Sequence, residues 1–196
     1  MSDNIWTGEK VHLRAWEPED WKYQVRWSRD TEGDRRTYDI PFPVSQAWTR
    51  KHDDELALQR PERDALHLII ETLQQEVVGG INSTDCDPKN GTFSFRLYVA
   101  PEYRRKGYAS EAVLLLLRYF FLERRYQKGG TGAYSFNEPS QRLLEQLGFQ
   151  LEGRQRRMQF SNGGYHDMVH YGITVEEFCE KHGEWLKANA PADAPS

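Results

Sequence analysis

The sequence predicts one mixed α/β domain of the α+β kind: a mostly antiparallel central sheet of about seven strands, flanked by helices, with an extra C-terminal helix. Three observations lead there. Aromatic residues make up 13% of the 196 positions, with six Trp and ten Tyr, which supplies the core that a solvated chain lacks. Several short apolar or alternating stretches are joined by links too short for anything but antiparallel neighbours. Between them lie stretches with helical spacing of apolar residues, and no internal repeat or interdomain linker interrupts the series.

Residues 11–16 alternate as a half-buried strand, and Glu17, Pro18, Glu19 and Asp20 then open a helix to about Asp30. Residues 31–44 carry Gly33, Pro41 and Pro43 with Tyr38 and Phe42, and read as an aromatic loop. That loop is either a wall of a binding cleft or an ordinary helix connection. Ser45 caps a helix to about Arg60. Residues 66–73, 76–83 and 92–99 form a meander, linked by Gln74 and Gln75 and by the turn-rich run from Asp85 to Gly91.

A long helix follows from Gly107 to about Arg124, with Ala112, Leu115, Leu116, Tyr119 and Phe120 on the face turned to the sheet. Residues 131–136 form a short strand weakened by glycines, and residues 139–147 a helix ended by Gly148. Residues 153–160 and 165–173 make a hairpin around Asn162 and Gly163. Thr174 and Glu177 form a capping box for the last helix. The domain is expected over residues 1–187, with a disordered tail at 188–196.

Charge is distributed unevenly. Residues 101–160 hold eleven Lys and Arg against six Asp and Glu, a net +5, while the rest of the chain carries −9. A sequence pI of about 5.9 argues against a nucleic-acid binder, so the local positive charge points to a compact anion or to a solvated basic face. Cys86 and Cys179 stand apart, with no zinc spacing around them, and His166 and His170 share a strand face only; no metal is expected. The N-terminal residues lack a signal pattern and the aliphatic run 112–117 is too short to span a bilayer, so the expected compartment is the cytoplasm, without membrane contact.

The chemistry concentrates where a strand ends at Val99, a basic loop follows with Arg104, Arg105, Lys106 and Gly107, and a helix begins with Tyr108, Ala109 and Ser110. Such a junction aims backbone N–H groups and the positive end of the helix at one point, which suits phosphate. Gly107 admits a ligand close to the backbone and Ala109 keeps the first turn small.

Arg104-x-x-Gly107-x-Ala109 resembles the Q/R-x-x-G-x-G/A motif of the GCN5-related N-acetyltransferases (GNAT). The order of elements resembles that family over nearly the whole chain. Asn137-Glu138-Pro139-Ser140 with Leu147-Gly148-Phe149, and Glu152-Gly153 through Gly163-Gly164-Tyr165-His166-Asp167, are similar to the branch of ribosomal-protein N-terminal and polyamine acetyltransferases.

The resemblance implies transfer of the acetyl group of acetyl-CoA to a primary amine, by direct attack in a ternary complex. Main-chain groups of Leu97, Tyr98 and Val99 would pair with the pantetheine arm, and amides from Arg105 to Ser110, with the Arg104 charge, would hold the pyrophosphate. Asn137 would bond the pantetheine region, the N–H of Val99 would hold the oxyanion, and Ser140 would protonate the leaving thiolate, with Leu144 where many relatives carry Tyr. Asn137 and Ser140 also read as an ordinary helix start.

Positions where relatives carry a proton-accepting Glu are Ser94 and Gln159 here. Glu71, Asp85, His67 and His166 could accept a proton, but each also has a structural reading; an acceptor α-amine of pKa near about 8 would need no dedicated base. The acceptor could be a protein N-terminus, a polyamine or a small amine, the −9 outside residues 101–160 favouring a cationic one; the chain would be a monomer or homodimer. A catalytically idle acyl-CoA-binding module is the competing expectation.

Overall fold

The computed structural model describes residues 4–37, 39–58 and 64–188. Its centre is a seven-stranded sheet in the order β1-β2-β3-β4-β5-β7-β6, built from β1 (Val11–Ala15), β2 (His67–Thr72), β3 (Val77–Asp87), β4 (Thr92–Val99), β5 (Lys128–Tyr134), β6 (Gln150–Ser161) and β7 (Gly164–Thr174). Six α-helices accompany it among the described residues: α1 (Trp21–Trp27), α2 (Thr31–Thr37), α3 (Gln46–Ala57), α4 (Tyr108–Arg118), α5 (Glu138–Gln146) and α6 (Val175–Ala188). All neighbouring strands are antiparallel except β4 and β5.

Hydrophobic burial explains the two layers. Strands β1 to β4 alternate, so Leu13, Ile70, Ile81, Phe93 and Phe95 go to one face, where α4 covers them. On the other face Trp16, Trp27, Ile69, Val77 and Ala100 form a smaller core under α1 and α3. Helix α4 is apolar all round because the sheet lies on one side and the N-terminal segment and α6 on the other; Val113, Leu115, Leu116 and Leu117 have no exposed surface. Each such side chain contributes roughly 1.5–3 kcal/mol. Arg118 at its end is buried, donates to the carbonyl of Ile5 and lies 5.4 Å from the Trp185 ring centre.

Several element boundaries differ from expectation. The first helix stops at Trp27, and the expected loop 31–44 begins with α2, started by Asp30: its Oδ1 accepts the N–H of Gly33 at 3.0 Å. Gly33 does not break this helix because it packs against Tyr98, where a Cβ would come within 2.9 Å of the ring. Ser45 caps α3 as expected, accepting from Trp48 N–H at 3.1 Å, but the helix ends at Ala57; Arg60 lies outside the described residues.

Strand β5 begins at Lys128 rather than residue 131, and its glycines belong there. A side chain at Gly129 would press on Leu117 and Phe93 at about 3 Å. Helix α6 includes Ala188, the first residue of the expected tail; residues 189–196 lie outside the described part. The capping box at its start is formed, with Thr174 N–H donating to Glu177 at 2.8 Å and Glu177 N–H to Thr174 Oγ1 at 3.3 Å. No helix among the described residues is long and apolar enough to cross a membrane.

Candidate active site

Strands β4 and β5 run parallel but stay paired only from Thr92–Lys128 to Ser94–Gly130. Thr131 Oγ1 still reaches Phe95 O at 2.9 Å, and beyond that the two strands part. An open cleft of about 520 Å³, counted to its mouth, fills the gap, with Thr37, Leu97, Thr131, Asn137, Ser140 and Leu144 in its wall.

Register decides which main-chain groups face that opening. Ala100 N–H donates to Val78 O at 2.9 Å, and the β3–β4 pairing alternates from there. Arg96 and Tyr98 therefore turn their N–H and C=O to β3, whereas Phe95, Leu97 and Val99 turn theirs to the opening. Leu97 thus presents its N–H and C=O, and Val99 its N–H, on the side of β4 that β5 has left, and Tyr98, opposite Gly80, does not. On its paired side β4 lies close to β3: a Cβ at Gly79 would lie 2.1 Å from Tyr98 O.

Past the end of β4 the chain runs through a short loop to the N-terminus of α4. Gly107 has φ +86° and Arg105 φ +63°, left-handed turns of the kind from which anion-binding loops are built. Glu111 N–H is the first to find an intrahelical acceptor, the Gly107 carbonyl at 3.1 Å. Arg105 and Lys106 are exposed, and the Lys106 ammonium lies 5.2 Å from the Tyr103 ring centre.

Arg104 behaves differently from its neighbours. Its Nε donates to Val99 O at 2.9 Å and its Nη2 to Asp30 Oδ2, so its charge is matched inside the protein. Tyr98 OH donates to the same Asp30 oxygen at 3.1 Å, and burial with that negative neighbour pushes the phenol well above its ordinary pKa. Burial pushes the Asp30 carboxyl up, but hydrogen bonds from Gly33, Arg104 and Tyr98 outweigh it and hold the group below the usual range.

Two contributors escaped sequence reasoning. The Lys10 ammonium lies over Gly107, where a Cβ would be 2.7 Å from its Nζ, and adds a cation to the loop from about a hundred residues away. Glu111, buried in the first turn of α4, fixes it there by accepting the amides of Glu9, Lys10 and Val11 at 2.9, 2.7 and 2.7 Å. Only a basic residue next to a β-strand start signalled this, which is no usable pattern.

On the far wall, buried Asn137 caps α5. Its Oδ1 accepts from Ser140 N–H at 3.4 Å, and its Nδ2 donates to Ser140 Oγ at 2.9 Å and to Arg36 O at 3.1 Å. The Arg36 carbonyl can only accept, which fixes the orientation of the amide. Ser140 Oγ therefore has one lone pair occupied and its own hydrogen available for the cleft. Leu144, buried, provides an apolar wall below it.

The expected proton acceptors lie elsewhere. Glu71 is paired with His12 at 2.8 Å and Arg14 at 3.4 Å on β1 and β2, and His67 is also on β2, two strands from β4. Asp85 accepts from Thr84 Oγ1 at 3.2 Å near the end of β3. His166 is held against Ser161 O at 3.2 Å and edge-on to Phe136. Ser94 sits within the paired part of β4, and Gln159 pairs with His166 across the β6–β7 hairpin.

Comparison with known proteins agrees with this architecture. Residues 10–150 match the model of the acetyltransferase (GNAT) domain. The SPbeta prophage-derived uncharacterized N-acetyltransferase YokL of Bacillus subtilis (strain 168) is 43% identical over 183 residues, covering 93% of this chain and 100% of that one. Among solved structures, spermidine N-acetyltransferase from Vibrio cholerae in complex with CoA and spermine aligns with a TM-score of 0.77 at 20% identity, covering 87% of this chain and 99% of that one. The ribosomal L7/L12 alpha-N-protein acetyltransferase RimL in complex with CoA aligns with a TM-score of 0.76 at 20% identity, covering 87% and 97%.

Proposed function

The chain belongs to the GNAT acetyltransferase family, and from that premise we propose that it moves the acetyl group of acetyl-CoA to a primary amine inside the β4–β5 cleft, without an acetylated enzyme. The observation that carries this reading is the strand edge on which Leu97 and the Val99 N–H have no β5 partner, followed by a loop with positive φ at Arg105 and Gly107 that has Lys10 beside it. An extended amide-bearing arm adds to such an edge as another strand does, and a pyrophosphate suits the helix start.

Acetyl-CoA supplies an activated acyl group. The protein's part is to hold it and to meet the charges that develop. Gly107, Tyr108, Ala109 and Ser110 offer backbone N–H groups to phosphate, with Arg105 and Lys106 as exposed cations beside them. Arg104 contributes structurally instead, because by clamping Val99 O and Asp30 it fixes the end of β4. The Val99 N–H then faces the cleft as the donor for the carbonyl oxygen as it gains negative charge. Ser140, kept in place by Asn137, directs its hydroxyl hydrogen to the leaving sulfur.

The acceptor is a primary amine: a protein N-terminus, a polyamine or a small amine. Spermidine and ribosomal-protein N-terminal acetyltransferases share this fold, which supports the class and leaves the member of it to experiment. Initial rates measured over both substrates test the order of events. Intersecting reciprocal plots are expected for a ternary complex; parallel plots would mean an acetyl-enzyme and overturn the reading.

A further inference from the structure

The wall of the β4–β5 cleft draws on both faces of the sheet, and the two sides differ in charge. Phe95 and Leu97 turn to the face that α4 covers, and Leu143 and Leu144 of α5 continue the wall there. Arg96 and Tyr98 alternate to the opposite face, where Gly33 of α2 rests on the Tyr98 ring. One turn further along α2, Arg36 and Thr37 complete the wall on that side, and the Arg36 carbonyl accepts from Asn137 Nδ2 at 3.1 Å.

The α2 side of the wall therefore carries two arginines, Arg36 and Arg96, both exposed; among the described residues the wall contains no Asp or Glu. Across from them β5 contributes Gly132, and Met168 lies over it, its Sδ 2.7 Å from where a Cβ would stand. Acids of α2 and the β6–β7 hairpin are committed elsewhere. Asp30 accepts from Gly33, Tyr98 and Arg104, Glu32 from Arg35, and Asp167 from Arg154 and the Arg157 N–H; Asp34 is not part of the wall. The two arginines are also apart from the phosphate loop. Arg96 precedes Val99 by three residues, about 10 Å of strand, and Arg36 lies across the sheet from α4.

We propose that the acceptor is a primary amine that carries a carboxylate, held by Arg36 and Arg96 on the α2 side of the cleft while acetyl-CoA enters from the α4 side. The proposal rests on the acetyltransferase reading above and narrows its acceptor. A guanidinium meets a carboxylate with two parallel N–H bonds, which orients the bound molecule as well as holding it. The further ammonium groups of a polyamine would meet the same arginines as like charges. This reverses the preference suggested by the −9 outside residues 101–160, because that count sums the whole surface, whereas charges beyond about 10 Å are screened and the wall groups are not.

The test measures kcat/KM for carboxylate-bearing amines, each beside its amide and a diamine of similar length, with rates referred to the free-base fraction of each amine. Free amino acids and a short peptide that begins with acidic residues form separate arms, and the arm with the larger acid-to-amide ratio names the source of the carboxylate. The expected ratio is about 10 or more in favour of the acid, as for a hydrogen bond to a charged group, with the diamine below the amide. Arg36→Gln and Arg96→Gln should each bring that ratio toward one, chiefly through KM, with the dissociation constant of CoA unchanged; a merely structural role would lower acid and amide alike. Equal rates for acid and amide, a faster diamine, or a ratio that survives both substitutions would overturn the proposal while leaving acetyl transfer in place. If no amine releases thiol, the acetyltransferase reading falls and this acceptor with it.

Discussion

The carboxylate of Glu111 accepts the main-chain N–H of Lys10 at 2.7 Å, and this bond fixes the Lys10 backbone where its ammonium reaches Gly107. One buried acid at the start of α4 thereby does two things. It satisfies three orphan amides of the N-terminal segment, and it brings a cation to the place where phosphate charge would gather.

Replacing Glu111 by Ala should therefore harm stability and binding together. Three buried or half-buried amides lose their acceptor, a cost of about 3 kcal/mol, or roughly 10 °C in melting temperature for a chain of this size. CoA affinity should fall as well, because Lys10 is no longer positioned. Thermal melts and calorimetric titration measure both; a variant with normal melting and normal affinity would show that the contact is idle.

Gly107→Val isolates the phosphate loop. At φ +86° a β-branched residue is strained by about 1–3 kcal/mol and crowds the site with its side chain. The expected outcome is a folded protein with a modestly lower melting temperature and no measurable CoA binding. Lys10 can swing aside, so the clash with its flexible end is not itself the cause.

Ser140→Ala tests the departing thiolate. Since Asn137 Nδ2 donates to Ser140 Oγ at 2.9 Å, the hydroxyl hydrogen is the group removed from the cleft. We expect kcat to drop about 10²-fold while the dissociation constant for CoA changes little, measured by steady-state rates and titration. An equal loss in both would assign Ser140 to binding.

Alkaline pH should destabilise the fold through Tyr98 and Tyr126. Burial, then the neighbouring Asp30 or Asp64, raises both phenols above their ordinary value. Below about pH 10 the phenols are neutral in both states and their contribution is intact; above it the unfolded chain releases protons that the native chain retains, so stability falls. Melting temperatures between roughly pH 9 and pH 11 should show this slope, and Tyr126→Phe should flatten it.

Much of this was readable in the residues because the signals were local. Asn162 and Gly163, at φ +51° and +77°, turn the β6–β7 hairpin where their sequence expects it, and β4 occupies residues 92–99 as its alternation requires. Helix α2 was hidden because Gly33, Pro41 and Pro43 read as breakers, whereas Gly33 answers to Tyr98, a contact 65 positions away. The start of β5 was obscured by glycines whose reason is Phe93 and Leu117. The pairing of Glu111 with Lys10, the commitment of Arg104 to Asp30, and the direction of Tyr98's main chain all depend on long-range register. The +5 of residues 101–160 is likewise shared out by the fold: Arg104 is matched by Asp30, Arg118 is buried against Ile5, and Arg154 meets Asp167 at 3.3 Å.

The central claim, acetyl transfer to an amine in the β4–β5 cleft, is tested most directly by following CoA thiol release from acetyl-CoA over a panel of primary amines, with mass analysis of each amine and of the protein. The expected result is release that depends on the amine, one acetyl group on the product for each thiol formed, and no acetylated protein when the amine is omitted. Tight CoA binding with no release for any amine, or a stable acetyl group on the protein, would contradict it.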